Sequence, residues 1–314
     1  MAEGHRIDPR SVSHMTERLS DKVAGIHPDL AWHFGQGSSA QHCLTVSAGG
    51  VAELRPVAER WLRSAPAPDA TWEFRSSQAA DPGALEHSLE IAGAAVDLSQ
   101  TRFAVDVAPD ERRVHVGVYH PAYRQVPLEV RGQVTFLVLD WLLGEDDVER
   151  WLGHIESLTE APANPADGAE LRASVAQLAR QRDPDAWGVA EFRDQEGMPG
   201  LATFRTGVRW IDHPTLDRHQ LVTLTYAAQG NGLPADDAAL AGLRAVEEEL
   251  EGVLGSRGLV IGHESHRGVR RVHAYSDGED QNLDAALAAW AARRWVSIEA
   301  EPDPSWRAVR HLTG

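Results

Sequence analysis

One cysteine, Cys43, serves the whole of this 314-residue chain. No internal disulfide can form, and a reducing compartment, the cytoplasm, is expected. Within the strand-like HCLTVSA a small thiol fills space and is a poor nucleophile. Long hydrophobic runs are missing too: VTFLVLDWLLG is about half the length of a membrane span and is broken by Asp140, so no membrane association is expected. The Met1–His14 stretch, MAEGHRIDPRSVSH, carries charges where a secretory segment needs an apolar run, and no small-residue cleavage pattern follows it. Cations are scarce, with 30 Lys and Arg against 47 Asp and Glu, a net charge of −17. Such a surface repels phosphates, which argues against nucleic-acid partners and leaves solubility or docking onto a protein with a basic surface.

Catalytic and nucleotide signatures are also absent. FGQGSSAQHC offers G-x-G without the third glycine or the helix of a dinucleotide site, and neither a phosphate-binding loop nor G-x-S-x-G occurs. QGNGLP reads as a turn. No cofactor is expected.

What the chain does contain, 42% hydrophobic and 25% charged residues, suffices for two cores. The periodicities predict an α+β fold of two helix-backed, mainly antiparallel sheet domains. The first spans residues 1–158: a helix with Met15, Leu19 and Val23 on one stripe, a strand at Trp32–Phe34, then a strand–helix–strand unit. Period-two strands follow, with Phe103, Val105 and Val107 on one face and Val114, Val116 and Val118 on another, and DERR as their turn. One long helix, VTFLVLDWLLGEDDVERWLGHI, is expected to close the domain. Residues 159–186 read as a linker containing a short helix. Residues 187–314 alternate strand, strand, strand, helix, strand, strand, helix, strand, which predicts a ferredoxin-like sheet. A Trp-bearing helix followed by a strand opening on Trp occurs in both halves, the pattern of any helix-on-sheet module.

Two clusters hold candidate ligands. GHESHRGVRRVHAYS carries His263, His266 and His273; with Arg267–Gly268 as a two-residue turn, His263 falls opposite Val272 and His273 opposite Gly262. That register sends His263 and His273 to opposite faces, so a four-ligand zinc site is not expected. In DWLLGEDDVERW, Glu145 and Glu149 share a helical face and Asp146 is spaced to pair with Arg150. Paired carboxylates can hold a divalent cation, but this spacing is usually the wet side of an amphipathic helix. Of ten tryptophans, Trp61, Trp141, Trp151 and Trp290 sit on apolar helix faces; Trp210 and Trp306 lie beside loops and are the candidates for partner contact.

FRTGVRWIDHP, LVTLTYAAQGNGLP, EEELEGVLGSRGLVIGHESHRGVRRVHAYS with DGED after it, and EAEPDPSW cover about residues 187–306. Together they resemble a bacterial family catalogued as family 695 of the domains of unknown function. WEFRSSQ, VHVGVYHPAY and VLDWLLGEDDVERWLG resemble the module often fused upstream of it. The family is similar in fold pattern to the small acidic regulators of ribonuclease E. The resemblance implies a helix-backed α+β sheet and a regulatory, protein-binding role, and it transfers no active site.

Two functions of different class are therefore expected to compete. One is a non-catalytic binding or regulatory protein docking through sheet edges, exposed aromatics and acidic surface, with homodimerisation as a variant. The other is a metal-assisted hydrolase in the interdomain cleft, with Glu145 and Glu149 or the hairpin histidines as ligands.

Overall fold

The computed structural model describes residues 9–91 and 94–313; Met1–Asp8 of the charged opening stretch, and Ala92 and Gly93 of the predicted LEIAG strand, lie outside these. Contacts divide the chain into two units, one of residues 1–105 and 116–172 and the other of 106–115 and 173–314.

In the first unit, α1 (Pro9–Ala24) leads to β1 (Ala31–Gln36), β2 (His42–Ser47), α2 (Arg55–Ser64) and β3 (Trp72–Arg75). β2 is central, antiparallel to β1 and parallel to β3. Val46, Ala48 and Leu44 on one sheet face pack with Val23 and Leu19 of α1 and with Leu54, Ala58 and Trp61 around α2. The other face carries His33, Cys43, Thr45, Ser47, Glu73 and Arg75, polar or small residues set by the alternation of the strands.

β4 (Ser88–Ile91) and β5 (Ala94–Asp97) form a two-stranded ladder. β6 (Arg102–Ala108), β7 (Arg113–Tyr119) and a later strand form a three-stranded sheet. Val114, Val116, Val118 and Phe103 are buried as their alternation predicts, whereas Val107 is exposed. The 106–115 tip of this hairpin is counted with the second unit.

The long closing helix predicted for residues 134–155 is three elements: α3 (Leu128–Leu143), α4 (Glu145–Trp151) and β8 (Leu152–Leu158). Gly144 makes the break. At φ 88° it adopts a conformation that a side chain resists, and a Cβ there would stand 3.2 Å from the Ala80 nitrogen. Glu145, Asp146 and Asp147 then occupy the first turn of α4, where the helix dipole favours them. α5 (Gly168–Arg180) follows, and the boundary between the units falls inside it. The segment expected as a linker is not a free tether: Ala166 bridges Phe103, and Leu171 of α5 is fully buried.

The second unit runs β9 (Trp187–Arg193), β10 (Pro199–Arg205), β11 (Arg218–Thr225), α6 (Asp237–Leu254), β12 (Gly258–His266), β13 (Val269–Ser276), α7 (Gln281–Arg294), β14 (Ser297–Pro302) and the short α8 (Arg310–Thr313). Its six-stranded sheet has the order β14-β11-β13-β12-β10-β9, antiparallel throughout. β11-α6-β12 and β13-α7-β14 are thus two interleaved crossover units. Asp236 caps α6 by accepting from the Ala239 N–H, and Asp280 caps α7 by accepting from Leu283. Leu243, Leu250, Leu254, Leu283, Leu287 and Trp290 bury the helices on Val222, Val260, Val272 and Ala274. Burial of each such side chain contributes roughly 1.5–3 kcal/mol. A bulge at Ile261 resets the alternation of β12. The opposite sheet face is covered by the C-terminal segment, with Tyr275, Ile261 and Ala202 against Trp306, Val309 and Leu312.

Candidate functional site

The β12–β13 hairpin has the register its sequence predicts, with Gly262 opposite His273 and His263 opposite Val272. Arg267 and Gly268 turn it, both at positive φ (50° and 77°), as a two-residue hairpin requires. Arg267 carries that conformation with its guanidinium bound to Asp194 and Glu196. His263 points to the helix side, 3.3 Å from Glu247 of α6. His266 sits 3.1 Å from Asp194 at an angle that makes no hydrogen bond. His273 points to the other face. The three imidazoles therefore serve three separate carboxylates, and among the described residues no three His, Cys, Asp or Glu side chains form a metal-holding group.

His273 belongs instead to a buried polar chain. Its Nε2 lies 3.3 Å from Glu264, whose other carboxylate oxygen is 3.3 Å from Nε2 of His311. On the inner side, His273 Nδ1 lies 3.0 Å from Nε2 of His219, a residue of β11 that the sequence reading passed over. With His273 donating to Glu264, its Nδ1 is left to accept, so His219 Nε2 donates to it. His219 lies tilted against Tyr275, whose hydroxyl donates to Asp303 at 2.6 Å. Burial, then the neighbouring His273, pushes the His219 imidazole down to about 4, opposed by Asp303. The hydrogen bond from His273 holds Glu264 below the ordinary carboxylate range.

These shifts fix the sign of an acid effect. An unfolded His219 takes a proton near pH 6.5, while the folded one resists it to about 4. Stability is complete above pH 6.5 and is lost as pH falls through that window, by about 3 kcal/mol at roughly 1.4 kcal/mol per pH unit. Urea midpoints measured from pH 7 to pH 4 should fall steeply in the native chain and less steeply in His219→Gln. Equal slopes would remove His219 as the source.

Glu145 and Glu149 do not act as a pair. Glu145, the first residue of α4, accepts from the backbone N–H groups of Gly50 and Gln78, each at 3.0 Å, while Glu149 is exposed. Asp146 pairs with Arg55 of α2, and Arg150 binds Asp147. Both four-residue spacings lie within α4 and keep their helical geometry; Gly50, Gln78 and Arg55, remote in sequence, engage Glu145 and Asp146 instead.

Of the two loop tryptophans, Trp306 is buried and has no surface to offer a partner. Trp306 is 3% exposed, stacks on Tyr275 at 4.5 Å and donates its indole N–H to the Leu216 carbonyl. Trp210 is half-buried against the same core. Two tryptophans are exposed among the described residues, Trp187 at 45% and Trp295 at 94%, and Trp295 ends α7 in the left-handed conformation at φ 55°. Its signal in the sequence is weak: a non-glycine residue between Arg293–Arg294 and a strand.

Trp295 stands at the head of β14, an edge strand whose single neighbour is β11. Apart from the half-buried Ile298, β14 is exposed along its six residues, and it presents Glu299 and Glu301 to solvent. Beside Trp295 opens a groove of about 750 Å³ lined by Leu224, Tyr226, Leu243, Val246 and Val296. β14 pairs β11 only as far as Thr223, so Leu224 and Thr225 border this groove without a strand on that side. Edge strands usually carry lysine, a bulge or a cover that blocks further pairing. Here the blocking features are the terminal Pro302 and two glutamates. Among the described residues no helix is long and apolar enough to cross a membrane. Compared with known proteins, the chain matches no family model, no curated protein and no solved structure.

Proposed function

We propose that the protein is a non-catalytic, cytoplasmic binding module that captures an extended, basic polypeptide segment along β14. The observation that carries this reading is the open acidic strand headed by an almost fully exposed tryptophan. An added strand gains main-chain hydrogen bonds from the edge, and side-chain preference comes from what flanks it. Glu299 and Glu301 favour Lys or Arg, the net charge of −17 steers cations toward the surface, and the groove beside Trp295 accepts one apolar anchor. The interleaved strand order supports a ferredoxin-like reading of the second unit. The resemblance to family 695, and through it to the ribonuclease E regulators, favours the same regulatory role.

Display of random peptides to the full chain tests this. Enriched sequences should alternate basic and other residues with one aromatic or aliphatic end, and their binding should slow amide exchange over residues 297–302. Trp295→Ala and the pair Glu299→Lys, Glu301→Lys should each weaken the selected peptide at least about tenfold, a loss of about 1.4 kcal/mol, without shifting the melting point. Enrichment of acidic peptides, or protection elsewhere than β14, would overturn the proposal.

A further inference from the structure

The polar face of the first unit's sheet does not pack against an apolar partner. It looks across a cavity of about 770 Å³ toward α3, within the size range of small-molecule sites. His33 of β1 and Thr45 and Ser47 of β2 line the sheet side; Leu137, Asp140 and Trp141 line the helix side, and Glu145 of α4 lines it too. Asp140 is the anomaly here. It interrupts the apolar run VTFLVLDWLL, and among the described residues no hydrogen bond or ion pair reaches its carboxyl. A half-buried carboxyl without a partner costs stability, and groups kept at such a cost concentrate at binding sites.

We propose that this cavity binds an organic ammonium compound with an apolar body, its cation held by Asp140. Charge selects the class. The lining carries the carboxyls of Asp81, Asp140 and Glu145 against one guanidinium, Arg75. Arg75 is already engaged by Glu73 and the Ser38 hydroxyl, and Glu73 is anchored by the backbone N–H groups of Ser38, Ser39 and Ala40. His33 is held neutral, its imidazole pushed down mainly by burial. Glu145 spends its two oxygens on Gly50 and Gln78 and Asp81 is exposed to water, which leaves Asp140 as the half-buried acceptor still open. Trp141 lines the cavity and gives an ammonium an aromatic ring to lie against.

Proton linkage gives the site a signature. Burial, then the Glu145 charge, raises the Asp140 carboxyl to about 7. It is about one-tenth ionised at pH 6 and nine-tenths at pH 8, so a ligand that stays cationic should bind about tenfold more tightly at the higher pH.

The test is calorimetric titration of the full chain with phenethylamine and with spermidine, set against 2-phenylethanol and 3-phenylpropionate. An amine should bind, the alcohol and carboxylate should not, and amine affinity should rise about tenfold from pH 6 to pH 8. Asp140→Asn should weaken the amine at least tenfold and flatten its pH dependence while unfolding cooperatively; if it does not fold, Asp140→Ser replaces it. The proposal fails if neither amine binds, if the carboxylate binds as tightly, or if the folded Asp140 variant keeps its affinity. None of these outcomes touches β14, so this inference and the peptide reading stand or fall separately.

Discussion

Arg55→Met is expected to destabilise the protein by about 3–5 kcal/mol, the cost typical of removing one partner from a buried ionic network. The Arg55 side chain is 6% exposed, and its guanidinium is fully committed: Nε and Nη2 donate to the two oxygens of Asp146, each at 3.1 Å, and Nη1 donates to Glu59 at 3.2 Å. Glu59 also accepts from the Ser76 hydroxyl at 2.8 Å, so one cation organises α2, the start of α4 and the strand end after β3. Methionine fills much of the same volume but takes the guanidinium away from both carboxylates, Glu59 keeping the more exposed Arg63 at 3.7 Å. The penalty is then mostly electrostatic, and the double variant Arg55→Met, Asp146→Asn should lose less than the sum of its single variants. Denaturant titration of the four proteins checks this. A loss under about 1 kcal/mol for Arg55→Met would mean the network contributes no more than a surface pair.

Asp140→Asn should act in the opposite direction and only at the right pH. The unfolded carboxyl titrates at 3.8 and the folded one at about 7, so the folded state holds the proton more tightly. Its cost is absent below pH 3.8, grows as pH rises through that window, and is complete above about 7. Three pH units correspond to roughly 4 kcal/mol, and partial exposure of the group reduces this to about 2–3 kcal/mol. Asparagine has nearly the same shape and cannot ionise. The variant should therefore gain about 2–3 kcal/mol at pH 8 and almost nothing at pH 4, seen as melting curves that separate only on the alkaline side. A gain of equal size at both pH values would point to packing and not to charge. Stabilisation by removing a single carboxyl is what a site kept for binding predicts, since such sites trade stability for function.

Local patterns carried much of this architecture into view. Helical stripes and period-two strands located the eight elements from β9 to β14, because each pattern matches the burial of one face and neighbours in sequence suffice to read it. The register of the β12–β13 hairpin followed from Arg267–Gly268 alone, since a two-residue turn leaves one pairing. Where one residue overruled its surroundings, the pattern misled: the helical pattern from Val134 to Ile155 continues past Gly144, and the positive φ imposed there divides it.

The candidate sites were much less legible, because every decisive pair is distant in sequence. Arg55 meets Asp146 across 91 positions, and His219 meets His273 across 54. Nothing local distinguishes the buried Trp306 from the exposed Trp295; the cover over Tyr275 depends on where the C-terminal segment folds back. Composition settled the net charge, the lack of a disulfide and the α+β alternation, all of which are sums or short-range regularities. Tertiary structure alone decided which edge stays open, which carboxyl faces a cavity without a partner and which histidines touch, because each depends on strands and helices brought together from remote parts of the chain.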